Sequence, residues 1–374
     1  VHLERLVAVG ADDVVHGGYR VSCSCGVGRE HSGRGRGLRK HALCEGTRFA
    51  HTEHNAHTEQ TGQCFDNAPH IICTPSNEGD NILRITKLIP AAALACGAIA
   101  FNSHASEVLS AEVQSPALGR ALTYNVYLPT GYAQNTNVRY PVMYLLHGNG
   151  GVRNDWAVKG KMQKTVDTLV ANGEIPPAIY VMPDANTNWY VDLKEKMETA
   201  FINDLMPHVE KTYRTLNTRD GRVIGGLSMG GYGALRFVLK YPEKFQAAAL
   251  LSPAIYSTEP PADSSARSVK VFAEPNTNGA YSKTVWQQYN YPPLMDAFLA
   301  KGIKVPMYIN SGDDDEFAIE SDAALLYAQL RKAKQPAELR IVNCKHEWMV
   351  WESTLGDSLK YVFSTVSRPQ ISAK

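Results

Sequence analysis

Between residues 142 and 342, short apolar runs recur along the sequence and restrict the chain to few folds. The runs are almost continuous in Val, Ile, Leu, Met and Ala, which is typical of strands covered on both faces. They occupy residues 142–146, 179–182, 223–226, 247–251, 306–309 and 339–342.

Helical periodicity fills several of the gaps between these runs. Apolar residues recur there at spacings of three and four, which predicts amphipathic helices. The segments are 162–170, 200–209, 232–239 and 322–330. Strands that alternate with helices predict an α/β fold with a mostly parallel central sheet and helices on both faces.

Two segments depart from this pattern. Residues 122–128 alternate between apolar and polar side chains, which predicts an antiparallel strand with one solvated face. Residues 256–293 are rich in Pro, Ser, Asn and aromatic side chains. We expect them to form a short lid-like insertion over the carboxyl edge of the sheet, where ligands bind in such folds.

The first 80 residues have a different composition. Five of the seven cysteines and eight of the twelve histidines lie there, without sustained apolar periodicity. Cys23, Cys25, His51, His54 and His57 offer zinc-ligand chemistry, but Cys-x-Cys is not the usual knuckle spacing. We therefore expect residues 1–80 to be a disordered or spurious leader and expect no metal.

Residues 81–105 have the pattern of a secretory signal peptide. Arg84 and Lys87 precede an apolar run over 88–101, and residues 103–105 form a small-x-small cleavage site. Cys96 lies in a loose lipobox-like context, so a lipoprotein is the alternative. The pattern predicts a periplasmic or secreted protein whose natural chain begins near residue 80 and whose exported form begins near Ser106.

The remaining residues, 106–374, contain one cysteine, so no disulfide forms within them. This excludes a small disulfide-stapled module. Lys and Arg number 38 against 37 Asp and Glu in the whole chain, a net charge of +1. Such a balance offers no footprint for nucleic acid or anionic lipid. We expect residues 106–374 to form a catalytic domain with no nucleic-acid partner and no stable membrane insertion after signal cleavage.

A nucleophile motif follows one of the predicted strands. Gly226-x-Ser228-x-Gly230 lies between the apolar run 223–226 and the helical segment 232–239. In a nucleophile elbow, a sharp strand-to-helix turn of this composition presents a serine hydroxyl above the sheet. The motif predicts Ser228 as a nucleophile, against the alternative of a Gly-rich connection.

A serine nucleophile needs a base that is oriented by a carboxylate, in the chain order Ser, acid, His. His346 is the only histidine after Ser228 and follows the last predicted strand. The acid should follow another strand, where residues 313–316 read Asp-Asp-Asp-Glu. Residue types alone leave the choice among these four open, and a calcium site is an alternative without the EF-hand spacing.

An oxyanion hole is predicted from backbone N–H groups. The loop 147–151 follows the run 142–146 and reads His-Gly-Asn-Gly-Gly. Its N–H groups, with that of Met229 after the nucleophile, are positioned to bind a tetrahedral oxygen. A nucleotide-phosphate loop is the weaker interpretation, because neither Gly-x-Gly-x-x-Gly nor a terminal Lys-Ser/Thr is present.

These motifs resemble the "Putative esterase" family, the esterase D-like branch of the α/β-hydrolases, from about residue 114 to the end of the chain. The motifs that carry the resemblance are the segment 118–132, Tyr-Pro-Val-Met-Tyr-Leu-Leu-His-Gly over 140–148, Gly-Leu-Ser-Met-Gly-Gly-Tyr-Gly-Ala over 226–234, Gly312-x-x-Asp315-x-Phe317 and His346-x-Trp-x-x-Trp. The resemblance implies an α/β-hydrolase fold, Asp315 as the catalytic acid and Asn149 as the first oxyanion donor.

The function implied by this resemblance is that of a secreted serine carboxylesterase without a cofactor. Its substrate would be a small-molecule or carbohydrate-linked ester, of feruloyl, acetyl or siderophore type. An acyltransferase of the mycolyltransferase kind uses the same triad and is the alternative, and a non-catalytic binding protein is a second one. We expect Trp189, Trp286 and Tyr289, with Tyr291, to contact the substrate, against the alternative that these aromatic residues are packing.

Overall fold

The computed structural model describes residues 105–372, which are built around an eight-stranded sheet. Its strands are β1 (Glu107–Ser115), β2 (Arg120–Leu128), β4 (Val142–Leu146), β5 (Ile179–Pro183), β6 (Arg222–Leu227), β7 (Ala247–Leu251), β8 (Met307–Gly312) and β9 (Ala337–Val342). Their order across the sheet is β1-β2-β5-β4-β6-β7-β8-β9. β3 (Val138–Arg139) and β10 (Gln370–Ile371) pair separately.

Most of this sheet is parallel. The strands from β5 across to β9 run parallel to one another, whereas β1 and β2 are antiparallel to each other and β2 is antiparallel to β5. The mostly parallel central sheet predicted from the apolar runs is therefore confirmed.

Helices cover both faces of the sheet. They are α1 (Asp155–Val158), α2 (Met162–Ala171), α3 (Met197–Thr199), α4 (Met206–Thr212), α5 (Met229–Lys240), α6 (Ser265–Ser268), α7 (Lys283–Tyr289), α8 (Pro292–Ala300), α9 (Ile319–Lys332) and α10 (Trp348–Phe363). A π-helical segment, Ala200–Leu205, joins α3 to α4. One face carries α4, α5, α8 and α9, and the other carries α1, α2 and α10.

Strand β4 shows how the core divides between the two faces. Its alternate side chains point to opposite sides of the sheet. Val142, Tyr144 and Leu146 join the cluster under α5, whereas Met143 and Leu145 join the cluster under α10. All five are wholly buried, as a run covered on both faces requires.

Two expectations about strands are wrong. The strand β2 has no solvated face over most of its length, because its side chains join the core clusters on both sides of the sheet, Tyr124 and Val126 on one side and Tyr127 on the other. The edge beside it is occupied by β1, which the sequence pattern did not indicate. At the opposite edge, β9 is half-exposed rather than covered on both faces. An apolar or alternating pattern does not identify the strand that lies at the edge, since that depends on which strand pairs with it.

The insertion lies between β7 and β8 and contains α6, α7 and α8. Its aromatic side chains pack inward: Trp286 is fully buried against Phe272 and Tyr232. Ser265 is the one insertion residue that lines the pocket above Ser228. The insertion thus covers the sheet mainly as part of the core and reaches the pocket at α6.

The strand order produces a topological switch point between β4 and β6. The chain leaves β4 for β5 on one side and later returns to β6 on the other. In open α/β sheets, ligands bind in the crevice at the carboxyl ends of such strands. The loop after β4 and the turn after β6 therefore meet at one place.

Several sequence predictions lie outside the described residues. These are the leader over 1–80 with its alternative zinc ligands, and the signal peptide except for its last residue. Within 105–372, no helix has the length and apolarity to cross a membrane. Over the same range, no three His, Cys, Asp or Glu side chains form a group suited to a metal ion, and the acidic run at 313–316 is no exception.

A buried ion pair joins α3 to α5. Glu198 and Arg236 are each about 4% exposed and lie 3.0 Å apart, and Lys240 also binds the Glu198 carboxylate. Burial opposes the charge on Glu198, but the hydrogen bond from Lys240 and the charge of Arg236 outweigh it and hold the pKa of Glu198 below its usual value. Arg236 also donates to the carbonyl oxygen of Tyr289, which ties the insertion to α5.

Glu198→Gln is expected to lower the free energy of unfolding by about 3 kcal/mol at pH 7, because it leaves Arg236 buried without its counter-charge. A lowered carboxyl pKa stabilises the fold above the unfolded-state pKa, and that contribution is lost as the pH falls through the folded-state pKa. The difference should therefore persist down to about pH 4 and shrink below it. Chemical denaturation across this range measures it.

Glu338→Gln is the matched control, because Glu338 pairs with Arg340 at 2.9 Å between exposed side chains of the strand β9. The loss of this surface pair should cost less than about 1 kcal/mol. Equal losses in the two variants would contradict a stabilising role for the buried pair.

Candidate active site

Ser228 lies in the sharp turn between β6 and α5. Its backbone has φ 54° and ψ −117°, a left-handed conformation that non-glycine residues rarely adopt. Such a strained conformation persists only where the surrounding structure imposes it, and functional sites are where it is commonly found. The turn places the serine at the amino end of α5, on the carboxyl edge of the sheet.

The glycines on either side are required by close backbone contacts. A Cβ atom on Gly226 would lie 2.6 Å from the backbone of Gly230, and one on Gly230 would lie 2.4 Å from the Leu146 carbonyl oxygen. Both distances are shorter than any real Cβ contact, and the neighbours are backbone atoms that cannot move aside. The motif Gly226-x-Ser228-x-Gly230 therefore brings the end of β4 against the start of α5.

Ser228, His346 and Asp315 form one hydrogen-bonded chain. The Ser228 Oγ atom lies 2.9 Å from Nε2 of His346, and Nδ1 of His346 lies 2.7 Å from Oδ2 of Asp315. Because a carboxylate only accepts, Nδ1–H donates to Asp315 and leaves Nε2 to accept from the serine hydroxyl. The three predicted residues thus meet in the order that a serine nucleophile needs.

The four adjacent acids differ in burial. Asp315 is buried, whereas Asp313, Asp314 and Glu316 are exposed. Oδ1 of Asp315 also accepts the Phe317 N–H at 3.0 Å, which fixes the carboxylate. Position therefore selects Asp315, the residue that the family pattern implied.

Two aromatic side chains hold the imidazole of His346. The rings of Phe317 and Trp351 meet it edge to face, with centroids 5.1 and 5.0 Å away. The indole N–H of Trp351 donates to the Ser252 hydroxyl at 3.1 Å and so has its own fixed position. His346 is thereby restricted to the plane that joins Ser228 to Asp315.

The loop after β4 forms a tight turn beside Ser228. The Gly151 N–H donates to the Gly148 carbonyl at 3.1 Å, and Gly150 has φ +70°, as the third position of a type II turn requires. The backbone N–H groups of Asn149 and Met229 have no hydrogen-bond partner within residues 105–372. They are the two predicted oxyanion donors.

A pocket of about 310 Å³ opens above Ser228. It is lined by the turn after β4, by residues of α1 and its C-cap, by Ser265 and by the aromatic residues near His346. Its lining is Gly148, Asn149, Gly150, Gly151, Asp155, Lys159, Leu227, Ser228, Ser265, Phe317, His346, Trp348 and Trp351. Ser228, His346 and Asn149 thus face one cavity of the size that small ligands occupy.

The aromatic residues expected to contact the substrate do not line this pocket. Trp189 and Trp286 are 1% and 0% exposed and pack edge to face against each other, and Tyr291 is equally buried. Half-buried Tyr289 lies over Arg236 instead. The prediction is wrong for Trp189, Trp286 and Tyr289, because the two tryptophans pack in the core and the Tyr289 ring packs on Arg236.

The aromatic lining comes from Phe317, Trp348 and Trp351 instead. Trp348 is half-buried and meets Trp156 and Trp351 edge to face, at 5.5 and 5.4 Å. The motif His346-x-Trp-x-x-Trp contains Trp348, so the sequence carried a signal that could have identified it. The spacing places both tryptophans in the first turn of α10, directly after the histidine.

Comparisons with known proteins bear on the family and the fold of the chain. A family model described as "Putative esterase" matches residues 115–362. Among curated proteins, an endo-1,4-beta-xylanase/feruloyl esterase of Xylanibacter ruminicola is 38% identical over 157 residues, which are 39% of this chain and 21% of that protein. Esterase Rv1288 of Mycobacterium tuberculosis is 36% identical over 146 residues, 36% of this chain and 30% of that protein. The chain thus spans less than a third of these relatives.

Solved structures give longer matches. A ferulic acid esterase is 30% identical and superposes with a TM-score of 0.60, covering 70% of this chain and 98% of that one. The fluorophosphonate-binding serine hydrolase FphF of Staphylococcus aureus has a similar fold at 16% identity, with a TM-score of 0.57 over 69% of this chain and 99% of that one.

Proposed function

The chain belongs to the "Putative esterase" family of α/β-hydrolases. We propose that it is a serine carboxylic ester hydrolase and that Ser228, His346 and Asp315 are its catalytic triad. The observation that carries this proposal is the hydrogen-bonded chain from Oγ of Ser228 through His346 to Asp315, with distances of 2.9 and 2.7 Å. Ser228 and His346 line the pocket at the switch point of the sheet.

In acylation, the Ser228 hydroxyl attacks the ester carbonyl while Nε2 of His346 takes its proton. The imidazolium that forms is stabilised by Asp315, which also keeps the proton of the resting imidazole on Nδ1. His346 then gives the proton to the leaving alcohol, and an acyl group remains on Ser228. In deacylation, His346 activates water in the same way, and the carboxylic acid leaves.

The negative charge of each tetrahedral intermediate falls on the former carbonyl oxygen. We propose that the N–H groups of Asn149 and Met229 bind this oxygen. Each such donor typically contributes about 3 kcal/mol to transition-state stabilisation. The Met229 N–H is also the first of α5, so the positive end of the helix dipole adds to the stabilisation.

For the substrate, we propose an ester of a feruloyl or similar aromatic acid, linked to a carbohydrate or small alcohol. The half-buried ring of Trp348 and the ring of Phe317 line the pocket beside His346, where a flat acyl group would lie against them. A ferulic acid esterase and a xylanase/feruloyl esterase among the similar proteins support this choice. An acetyl esterase of Caldicellulosiruptor saccharolyticus is also similar, 33% identical over 116 residues, so an acetyl ester is the natural comparison substrate.

We also propose that the protein is exported to the periplasm or secreted. The support is the sequence pattern over 81–105, with its basic residues, apolar run and cleavage site.

Ser228→Ala is expected to lower kcat/KM for 4-nitrophenyl acetate by three orders of magnitude or more, since it removes the nucleophile. Release of 4-nitrophenolate measures the rate, and the far-ultraviolet circular dichroism spectrum should not change. Ser265→Ala is the control, because Ser265 lines the same pocket without joining the triad. We expect it to stay within about threefold of the wild-type rate. The proposed triad would be overturned if Ser228→Ala were as active as Ser265→Ala.

Trp348→Ala is expected to lower kcat/KM about tenfold for 4-nitrophenyl ferulate and less than about threefold for 4-nitrophenyl acetate. An aromatic pair contributes about 1 kcal/mol beyond its buried area, and only the ferulate ester has a ring to stack. Both esters have the same leaving group, so the ratio of their rates isolates the acyl group.

Tyr289→Ala is the control for this experiment, since Tyr289 is an aromatic residue of the insertion that does not line the pocket. It should leave the ferulate-to-acetate ratio unchanged. If Trp348→Ala lowers the rates on both esters equally, Trp348 does not contact the acyl group.

Hydrolysis and acyl transfer are separated by adding trehalose to these assays. We expect hydrolysis to dominate, so that free ferulic acid exceeds acylated sugar among the products.

A further inference from the structure

His147 is a buried histidine that takes no part in the proposed proton transfers. It directly follows β4, is 1% exposed, and is hydrogen-bonded through both ring nitrogens. It does not line the pocket, although the next four residues do. A histidine so placed has a structural or a positioning role that its hydrogen bonds specify.

The two bonds determine which nitrogen carries the proton. The Ala185 N–H donates to Nε2 of His147 at 2.9 Å, so Nε2 is unprotonated. Nδ1 therefore carries the proton and donates it to the Gly148 carbonyl oxygen at 2.7 Å. Burial lowers the pKa of His147, which favours this neutral form.

The Gly148 carbonyl is held from two sides. It accepts from Nδ1–H of His147 and from the Gly151 N–H at 3.1 Å, which closes the turn over Asn149 and Gly150. A peptide unit is planar and trans, so its C=O and its N–H point in opposite directions. Fixing the Gly148 oxygen consequently fixes the direction of the Asn149 N–H, which belongs to the same peptide unit.

The His147 backbone is held as firmly as its ring. Its carbonyl oxygen accepts the Tyr190 hydroxyl at 3.2 Å. Gly230 packs against the same oxygen so closely that a Cβ atom there would lie 2.7 Å away. His147 thus joins three parts of the site: its ring contacts the turn after β4 and the segment after β5, and its backbone carbonyl contacts the amino end of α5.

We propose that His147 is a positioning residue that aims the Asn149 N–H at the oxyanion through its hydrogen bond to the Gly148 carbonyl. This inference rests on the proposed function, in which Asn149 is an oxyanion donor. His147 touches neither substrate nor the reacting atoms. Its contribution should therefore appear in transition-state stabilisation and not in substrate binding.

Two variants distinguish the roles of the two ring nitrogens of His147. In His147→Asn, the side-chain amide nitrogen occupies the position of Nδ1 and keeps the donor to Gly148, but the acceptor for Ala185 is lost. In His147→Gln, the amide oxygen reaches the position of Nε2 and keeps that acceptor, but the donor to Gly148 is lost. Each variant removes one buried hydrogen bond, so their effects on stability should be similar.

We expect His147→Gln to lower kcat for 4-nitrophenyl acetate by 10- to 100-fold with KM within about threefold of wild type. This is somewhat less than the roughly 100- to 1,000-fold loss on removing an oxyanion donor, because the donor is misaimed and not deleted. His147→Asn should stay within about fivefold of wild type. Butylboronic acid forms a tetrahedral adduct on the serine, so its inhibition constant should rise with the loss in kcat in each variant.

Equal kcat losses in the Asn and Gln variants, or a loss that appears in KM, would overturn the proposal. A boronate affinity that does not change while kcat falls would also overturn it. Nitrogen-15 NMR of labelled histidine in the wild-type enzyme tests the tautomer without a substitution. We expect a histidine that is protonated at Nδ1, with its Nδ1–H coupled to the Gly148 carbonyl, and protonation at Nε2 instead would contradict the assignment.

The outcome for Ser228→Ala distinguishes this inference from the proposed function. If Ser228→Ala is inactive and His147→Gln matches His147→Asn, only the role of His147 fails. If Ser228→Ala remains active, the triad fails whatever the His147 variants do.

Discussion

The close contact between the turn at Ser228 and the end of β4 determines the geometry of the whole site. Gly230 lies so near the carbonyl oxygens of Leu146 and His147 that no side chain fits between them. This contact places the first N–H of α5 beside the turn that contains Asn149. One backbone-to-backbone approach thus brings together a serine in a strained conformation and the N–H groups of Asn149 and Met229, which have no hydrogen-bond partner within residues 105–372.

The order of the strands makes that contact possible. β4 and β6 are adjacent and parallel in the sheet, so their carboxyl ends lie side by side although about 80 residues separate them in the chain. β8 and β9 end on the same edge and deliver Asp315 and His346 from loops that face the turn. The side chains proposed to carry the proton and the backbone groups proposed to bind the charge thus come from four loops on one edge of a single sheet.

Features encoded locally were predictable from the sequence, and features that depend on distant packing were not. The apolar runs predicted the parallel strands, and Gly226-x-Ser228-x-Gly230 marked the turn between β6 and α5, because both patterns are set by neighbouring residues. Residue types left four candidate acids open, since only the fold buries Asp315 and exposes the other three. The aromatic residues of the insertion were misassigned for a similar reason: a Trp286 packed on Tyr232 and Phe272 has the same sequence signature as one that faces a ligand. The tautomer of His147 is identified by the N–H of Ala185, which is 38 residues away, so no local pattern indicates it.

The central claim, that ester hydrolysis passes through an acyl group on Ser228, is tested most directly by trapping that group. Acid quenching during turnover of 4-nitrophenyl ferulate, followed by proteolysis and mass spectrometry, locates the bound acyl group. The account predicts one feruloyl adduct per protein, on the peptide that contains Ser228, and its absence from Ser228→Ala. A feruloyl group on another residue would contradict it. So would turnover that gives an initial burst of 4-nitrophenolate and leaves no covalent adduct on the protein.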